Sequence, residues 1–164
     1  LTGYELKQRA DATLRFYWVS PAMSQVYTEL ARLSEHGLVK ARDEPGGGRR
    51  TRRYGITVKG RRDLTRWLQT APVGFPALKH PVALRLLLGH LVDAESTRRL
   101  LEEYLEALAV RRDELQRVHD SLDDRAGTAD DPFRFPRMVS DWGLEYYQAE
   151  RETIEKLLAR LSER

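Results

Sequence analysis

The sequence predicts a mainly α-helical chain with one small β-hairpin, made of a mixed front half and a wholly helical back half. Three observations carry this. In residues 1–70 a helical spacing of apolar residues is interrupted once, by two β-rich segments around Glu44-Pro45-Gly46-Gly47-Gly48. Beyond it, Ala71-Pro72-Val73-Gly74-Phe75-Pro76 packs two prolines and a glycine into six residues, which no regular element tolerates. The remainder holds two long seams whose apolar residues recur at alternating spacings of three and four. The expected domains are therefore 1–70 and 77–164.

The first helix is expected from Gly3 to about Leu14, with Tyr4, Leu6, Ala10 and Leu14 at a loose helical period. A second starts with Ser20 as N-cap and Pro21 at the first helical position. Its stripe of Met23, Val26, Leu30 and Leu33 faces the core, leaving Ser24, Gln25, Thr28, Ala31 and Arg32 on the other side, and Gly37 ends it. Leu38–Arg42 and Arg52–Thr57 read as the strands of a hairpin. Thr57 then caps a third helix over Val58–Gln69, with Leu64, Trp67 and Leu68 facing one way.

The back half opens on a short apolar helix at about Leu78–His90, and Asp93 caps a long one. In that helix Leu101, Tyr104, Leu108, Arg111, Leu115, Val118 and Leu122 form a heptad seam with Arg111 as the misfit. After a loop over 123–132, a last helix from about Phe133 repeats the pattern through Leu144, Tyr147, Arg151, Ile154, Leu158 and Leu161. Two seams joined by so short a loop predict an antiparallel, coiled-coil-like pair. A two-helix hairpin buries each seam on one side only. Leu101, Tyr104, Leu108, Leu115, Tyr147, Ile154, Leu158 and Leu161 are therefore expected to meet a second copy of the chain, making this half a dimerisation domain.

Charge is divided along the chain. The whole carries 28 Lys and Arg against 25 Asp and Glu, but residues 1–70 hold 14 basic and 7 acidic side chains, and residues 71–164 hold 14 and 18. A basic front and acidic back suit a polyanion partner at one end. The chain has no cysteine, which excludes disulfides, thiolate catalysis and zinc sites built on Cys, and fits a reducing cytoplasmic compartment. No apolar run approaches the roughly 20 residues of a membrane span. Because Leu1 is not Met, a trimmed N-terminus is expected.

A helix, a capped helix and a two-stranded hairpin in that order define a winged helix-turn-helix, whose second helix enters the DNA major groove while the hairpin wing lies along the backbone. The chemistry agrees. Ser24, Gln25, Thr28 and Arg32 carry groups able to hydrogen-bond base edges or phosphates, and the wing concentrates Arg49, Arg50, Arg52 and Arg53 beside three glycines. A winged helix that binds another protein and no DNA is the alternative, though Glu29 is the one acid on the second-helix face.

An ordered set of residues also resembles a known family. Gly3-Tyr4-Glu5-Leu6-Lys7, Phe16-Tyr17-Trp18, Ser24-Gln25-Val26-Tyr27, Glu29-Leu30, Arg32-Leu33, Gly37-Leu38-Val39 and Tyr54-Gly55-Ile56-Thr57 with Gly60 are similar to the PadR family of transcriptional regulators, in its virulence-activator-like branch. The resemblance is dense over residues 1–70 and one of pattern beyond. It implies a bacterial homodimer that binds a roughly palindromic operator, usually as a repressor, and a further apolar helix before Gly3. It places Ser24, Gln25 and Thr28 on the DNA-facing side of the recognition helix and makes Tyr27 a phosphate contact or a packing residue. Tyr4 and Trp18 are expected in the core, and Lys7 and Lys40 near phosphates. The resemblance further implies a small aromatic effector, for which Trp67, Trp142, Tyr146 and Tyr147 are candidates.

Enzymatic motifs are missing. The glycines are not followed by Lys-Ser or Lys-Thr, and there is neither a Gly-x-Ser-x-Gly elbow nor a His-Glu-x-x-His pair. His80, His90 and His119 have no metal-ligand spacing. Neither catalysis, a metal nor a cofactor is expected.

Overall fold

The structure, a computed structural model, describes residues 1–17, 20–44, 51–75, 79–123 and 131–162. Its elements are α1 (Gly3–Thr13), α2 (Met23–Glu35), β1 (Val39–Glu44), β2 (Thr51–Ile56), α3 (Val58–Thr70), α4 (Pro81–Leu87), α5 (Ala94–Asp123) and α6 (Arg134–Ser162). They fall into two compact units, Leu1–Pro76 and Ala77–Arg164.

In the first unit α1 opens on a capping box. The Thr2 hydroxyl accepts from the Glu5 N–H at 3.1 Å, and the Glu5 carboxylate accepts from the Thr2 N–H at 2.8 Å. Gly3 lets the Tyr27 ring of α2 lie against the helix, since a Cβ there would stand 2.6 Å from the ring. Helix α2 starts later than its sequence suggests. Ala22, not Ser20, is the N-cap, because the Ser20 hydroxyl donates to the Asp11 carboxylate, which also takes the Lys7 ammonium. A contact nine residues away thus outcompetes the local cap. At the other end Gly37, with φ of +68°, completes a Schellman motif: its N–H reaches the Ser34 carbonyl and the Leu38 N–H the Leu33 carbonyl, both at 2.9 Å. In the expected stripe Leu30 is buried, and Met23, Val26 and Leu33 are half-buried.

β1 and β2 pair antiparallel from Val39↔Ile56 to Glu44↔Thr51. The chain start extends the ladder, the Leu1 carbonyl accepting from the Tyr54 N–H at 2.8 Å and Thr2 bridging Arg53. Thr57 joins hairpin to helix: its hydroxyl accepts from the Gly60 N–H at 2.9 Å and donates to the Gly37 carbonyl at 2.8 Å. Thr57→Ala removes both bonds, and a loss of about 1–2 kcal/mol of stability is expected by urea unfolding. Leu64, Trp67 and Leu68 do share one face of α3, but the unit leaves them exposed. Tyr4, expected in the core, is also exposed, its hydroxyl accepting from Gln8 at 3.2 Å. Trp18, Arg49 and Arg50 lie outside the described residues.

In the second unit α4 is shorter than expected, its C-terminal part tightening into a 3-10 turn at Gly89–Leu91. His80 caps α4, and Asp93 opens α5 by accepting from the Ser96 N–H at 2.6 Å. α5 and α6 run antiparallel, with polar contacts at Arg98–Ser162, Tyr104–Glu150 and His119–Ser140. Val82, Leu101 and Ile154 form the core, and Tyr104, Leu158 and Leu161 pack against it.

Four of the seam residues assigned to an intermolecular contact, Leu101, Leu108, Leu115 and Ile154, therefore need correcting. Leu101 and Leu115, at 0% and 1% exposure, with Leu108 and Ile154 equally enclosed, are interior to one chain. The two seams meet each other, α4 closes one end, and Tyr104, Tyr147, Leu158 and Leu161 are half-buried beside them. The misfits Arg111 and Arg151 turn outward to Glu114 and Glu155, at 3.2 and 2.8 Å, as expected when a straight helix drifts about 20° per heptad from its seam. Among the apolar residues the unit leaves uncovered is a different stripe of α6, Phe135, Met138, Val139, Trp142 and Tyr146, alongside Leu84, Leu87 and Leu91.

Candidate nucleic-acid interface

α2 holds Ser24, Gln25, Thr28 and Arg32 on its solvent face because Leu30 and the half-buried stripe anchor the opposite one. The Thr28 hydroxyl donates to the Ser24 carbonyl at 3.0 Å, and the Gln25 Oε1 accepts from the Ala22 N–H at 2.8 Å. Arg32 Nε donates to Glu29 at 3.1 Å; with both side chains more than half exposed, this pair contributes little, and the rest of the guanidinium faces solvent. Ala22 has no side-chain acceptor to offer, so the first-turn N–H groups of α2 receive no cap from it. Tyr27 is half exposed with its ring on Gly3.

The hairpin alternates in the same way. Val39, Ala41 and Tyr54 are half-buried on one side, while Lys40 and Arg42 stand exposed on the other. The two described wing arginines differ. Arg52 lies opposite Asp43 with its guanidinium 5.9 Å from the Tyr54 ring centroid, exposed to solvent. Arg53, opposite Arg42, reaches back to Glu5 at 3.7 Å and ties the hairpin to α1. The Glu5 carboxyl is held below the ordinary carboxylate range, chiefly by the Thr2 N–H against an opposing effect of burial, with the Arg53 charge adding a smaller lowering. Lys7, expected near phosphate, pairs with Asp11.

The effector candidates are split. Trp67 stands exposed on α3 of the first unit, and Trp142 and Tyr146 stand exposed one turn apart on α6 of the second. Tyr147 is half-buried, its ring 5.9 Å from that of Tyr146. Beside Tyr146 and Tyr147 is a polar cluster that sequence reasoning missed. His80 Nε2 lies 2.8 Å from Glu150 and 2.9 Å from the Tyr104 hydroxyl, and burial followed by the Glu150 charge raises the Tyr104 phenol well above its usual range. No short-range signal joins residues 80, 104 and 150. Among the described residues no group of His, Asp and Glu is placed to hold a metal ion, and no helix is long and apolar enough to cross a membrane.

An outward polar helix locked by Gly37, Thr57 and Gly60 to a cationic two-stranded hairpin defines a winged helix-turn-helix, the class of unit that offers one helix and one hairpin to duplex DNA. The chain belongs to the PadR-like family of transcriptional regulators: residues 1–66 match that family, and residues 78–162 match the virulence activator alpha C-terminal domain. These are regulators, not enzymes. Among solved structures, Bacillus subtilis PadR in complex with operator DNA is similar at 21% identity and a TM-score of 0.86, over 98% of this chain and 90% of that one. The same protein in complex with p-coumaric acid is similar at 21% identity and a TM-score of 0.79, over 99% and 90%. The Vibrio cholerae virulence activator AphA is similar at 25% identity and a TM-score of 0.74, over 98% and 89%. No curated protein sequence matches the chain significantly.

Proposed function

We propose that this regulator binds operator DNA sequence-specifically as a cytoplasmic homodimer and acts as a repressor released by a small aromatic effector. The observation that carries the reading is the exposed polar face of α2, with four hydrogen-bonding side chains and no buried role for any of them. Residues 1–70 are the DNA-binding domain. Ser24, Gln25, Thr28 and Arg32 read bases, Tyr27 sits at their edge, and Arg49, Arg50, Arg52 and Arg53 supply phosphate contacts that give salt-sensitive affinity. Residues 77–164 are the dimerisation domain, with the outer stripe of α6 as its contact in place of the internal seam. The solved complexes of Bacillus subtilis PadR, one with operator DNA and one with p-coumaric acid, support both halves of the proposal. Trp67, Trp142 and Tyr146 are the aromatic candidates for the effector, whose binding would shift the spacing of the two reading helices with a coupling of about 1–3 kcal/mol.

Arg52 provides the test because it faces solvent. Arg52→Ala is expected to weaken binding to operator and random duplexes alike and to flatten the log-log salt slope by about one. A loss confined to one sequence, with the slope unchanged, contradicts the assignment.

A further inference from the structure

We infer that Gln25 reads a guanine edge, as a donor only, because its acceptor oxygen is committed to capping its own helix. The inference rests on the DNA-binding reading above. The Ala22 N–H lies 2.8 Å from the Gln25 side chain and needs an acceptor, so the atom facing it is Oε1 and the amide nitrogen points away. Among the described residues that nitrogen has no partner, and the side chain is exposed. Glutamine usually reads adenine by using both ends, donating to N7 and accepting from N6, and here the accepting end is turned back onto the Ala22 N–H. Freeing it would give up the intramolecular acceptor of the Ala22 N–H and leave that group to solvent, at a helix start where Ala22 itself caps nothing.

What remains outward is the –NH2 group. It suits guanine, which presents two adjacent acceptors, N7 and O6, in the major groove. One turn on, the Thr28 hydroxyl has spent its proton on the Ser24 carbonyl at 3.0 Å, so it offers only lone pairs and a methyl group. The Arg32 guanidinium adds further donors on the same face. Within this face Gln25 thus sets a donor next to an acceptor-only threonine, and the capping bond decides which end of the amide the DNA meets.

The test is selection of bound duplexes from a randomised pool by the full chain, for the wild type, Gln25→Ala and Gln25→Glu, with melting temperatures measured in parallel. The base position whose preference vanishes in Gln25→Ala is expected to be guanine in the wild type, with adenine there binding about tenfold more weakly. Gln25→Glu keeps an oxygen for the Ala22 N–H and so is expected to melt as the wild type does, while its second oxygen moves the preference from guanine to cytosine, whose N4 donates. Adenine at the Gln25-dependent position overturns the inference, since it requires the oxygen to leave the cap. So does a consensus in which no position depends on Gln25, which would make the residue a cap alone. If the wild type enriches no duplex at all, the DNA-binding reading fails and the inference falls with it.

Discussion

Gly60→Ala is expected to cost the first unit about 3 kcal/mol of stability and, with it, the alignment of hairpin and α2. A methyl group at residue 60 would lie 2.0 Å from the Leu38 carbonyl oxygen, a backbone atom held between the Schellman turn at Gly37 and the Thr57 junction. Nothing flexible is available to move aside. In a helix free of such contact alanine would gain about 1 kcal/mol over glycine, so the sign of the change is itself diagnostic. Gly55→Ala is the control: no atom lies within 4 Å of its Cβ, and a change within about 0.5 kcal/mol is expected. Amide exchange of β1 and β2 reports the result locally, which matters in a chain of two units whose unfolding need not be two-state. Faster exchange in Gly60→Ala alone is the expected outcome, and equal exchange in both variants contradicts it.

The second large effect separates the internal seam from the outer stripe. Leu101→Ala empties a fully enclosed site beside Val82 and Ile154 and is expected to cost about 2–5 kcal/mol. Trp142, 71% exposed on α6, makes no such contribution to its own chain. Trp142→Glu is expected to leave the melting temperature of the second unit within a few degrees while lowering the mass seen by light scattering toward that of one chain, because it sets a charge in the proposed contact. Were Leu101→Ala to dissociate a stable, folded unit, the seam would be intermolecular after all.

The elements that could be read from sequence are those settled by neighbours in the chain. Thr57 and Gly37 act over three or four residues, and both do what their types suggest. The α2 N-terminus was misread because Ser20 is claimed by Asp11, nine residues back, an interaction that no cap rule contains. Lys7 pairs with the same carboxylate, a second contact no cap rule contains. The α5 and α6 periods were legible, but periodicity says only that a face is covered, not by which chain, and the single-chain answer depends on the two seams lying in register across 46 residues, as Tyr104 and Glu150 do. The polar face of α2 was visible at once from its spacing. Which end of Gln25 it presents was not, since that follows from Ala22 lacking a side-chain cap.

The most direct test of a dimeric winged-helix regulator is a titration of fluorescent random-sequence duplex DNA with the full chain at several salt concentrations, with light scattering on the same sample. The account predicts a steep negative slope of log affinity against log salt, from a particle of twice the 19.0 kDa chain mass. Absence of binding at low salt, or affinity that salt does not change, would contradict it.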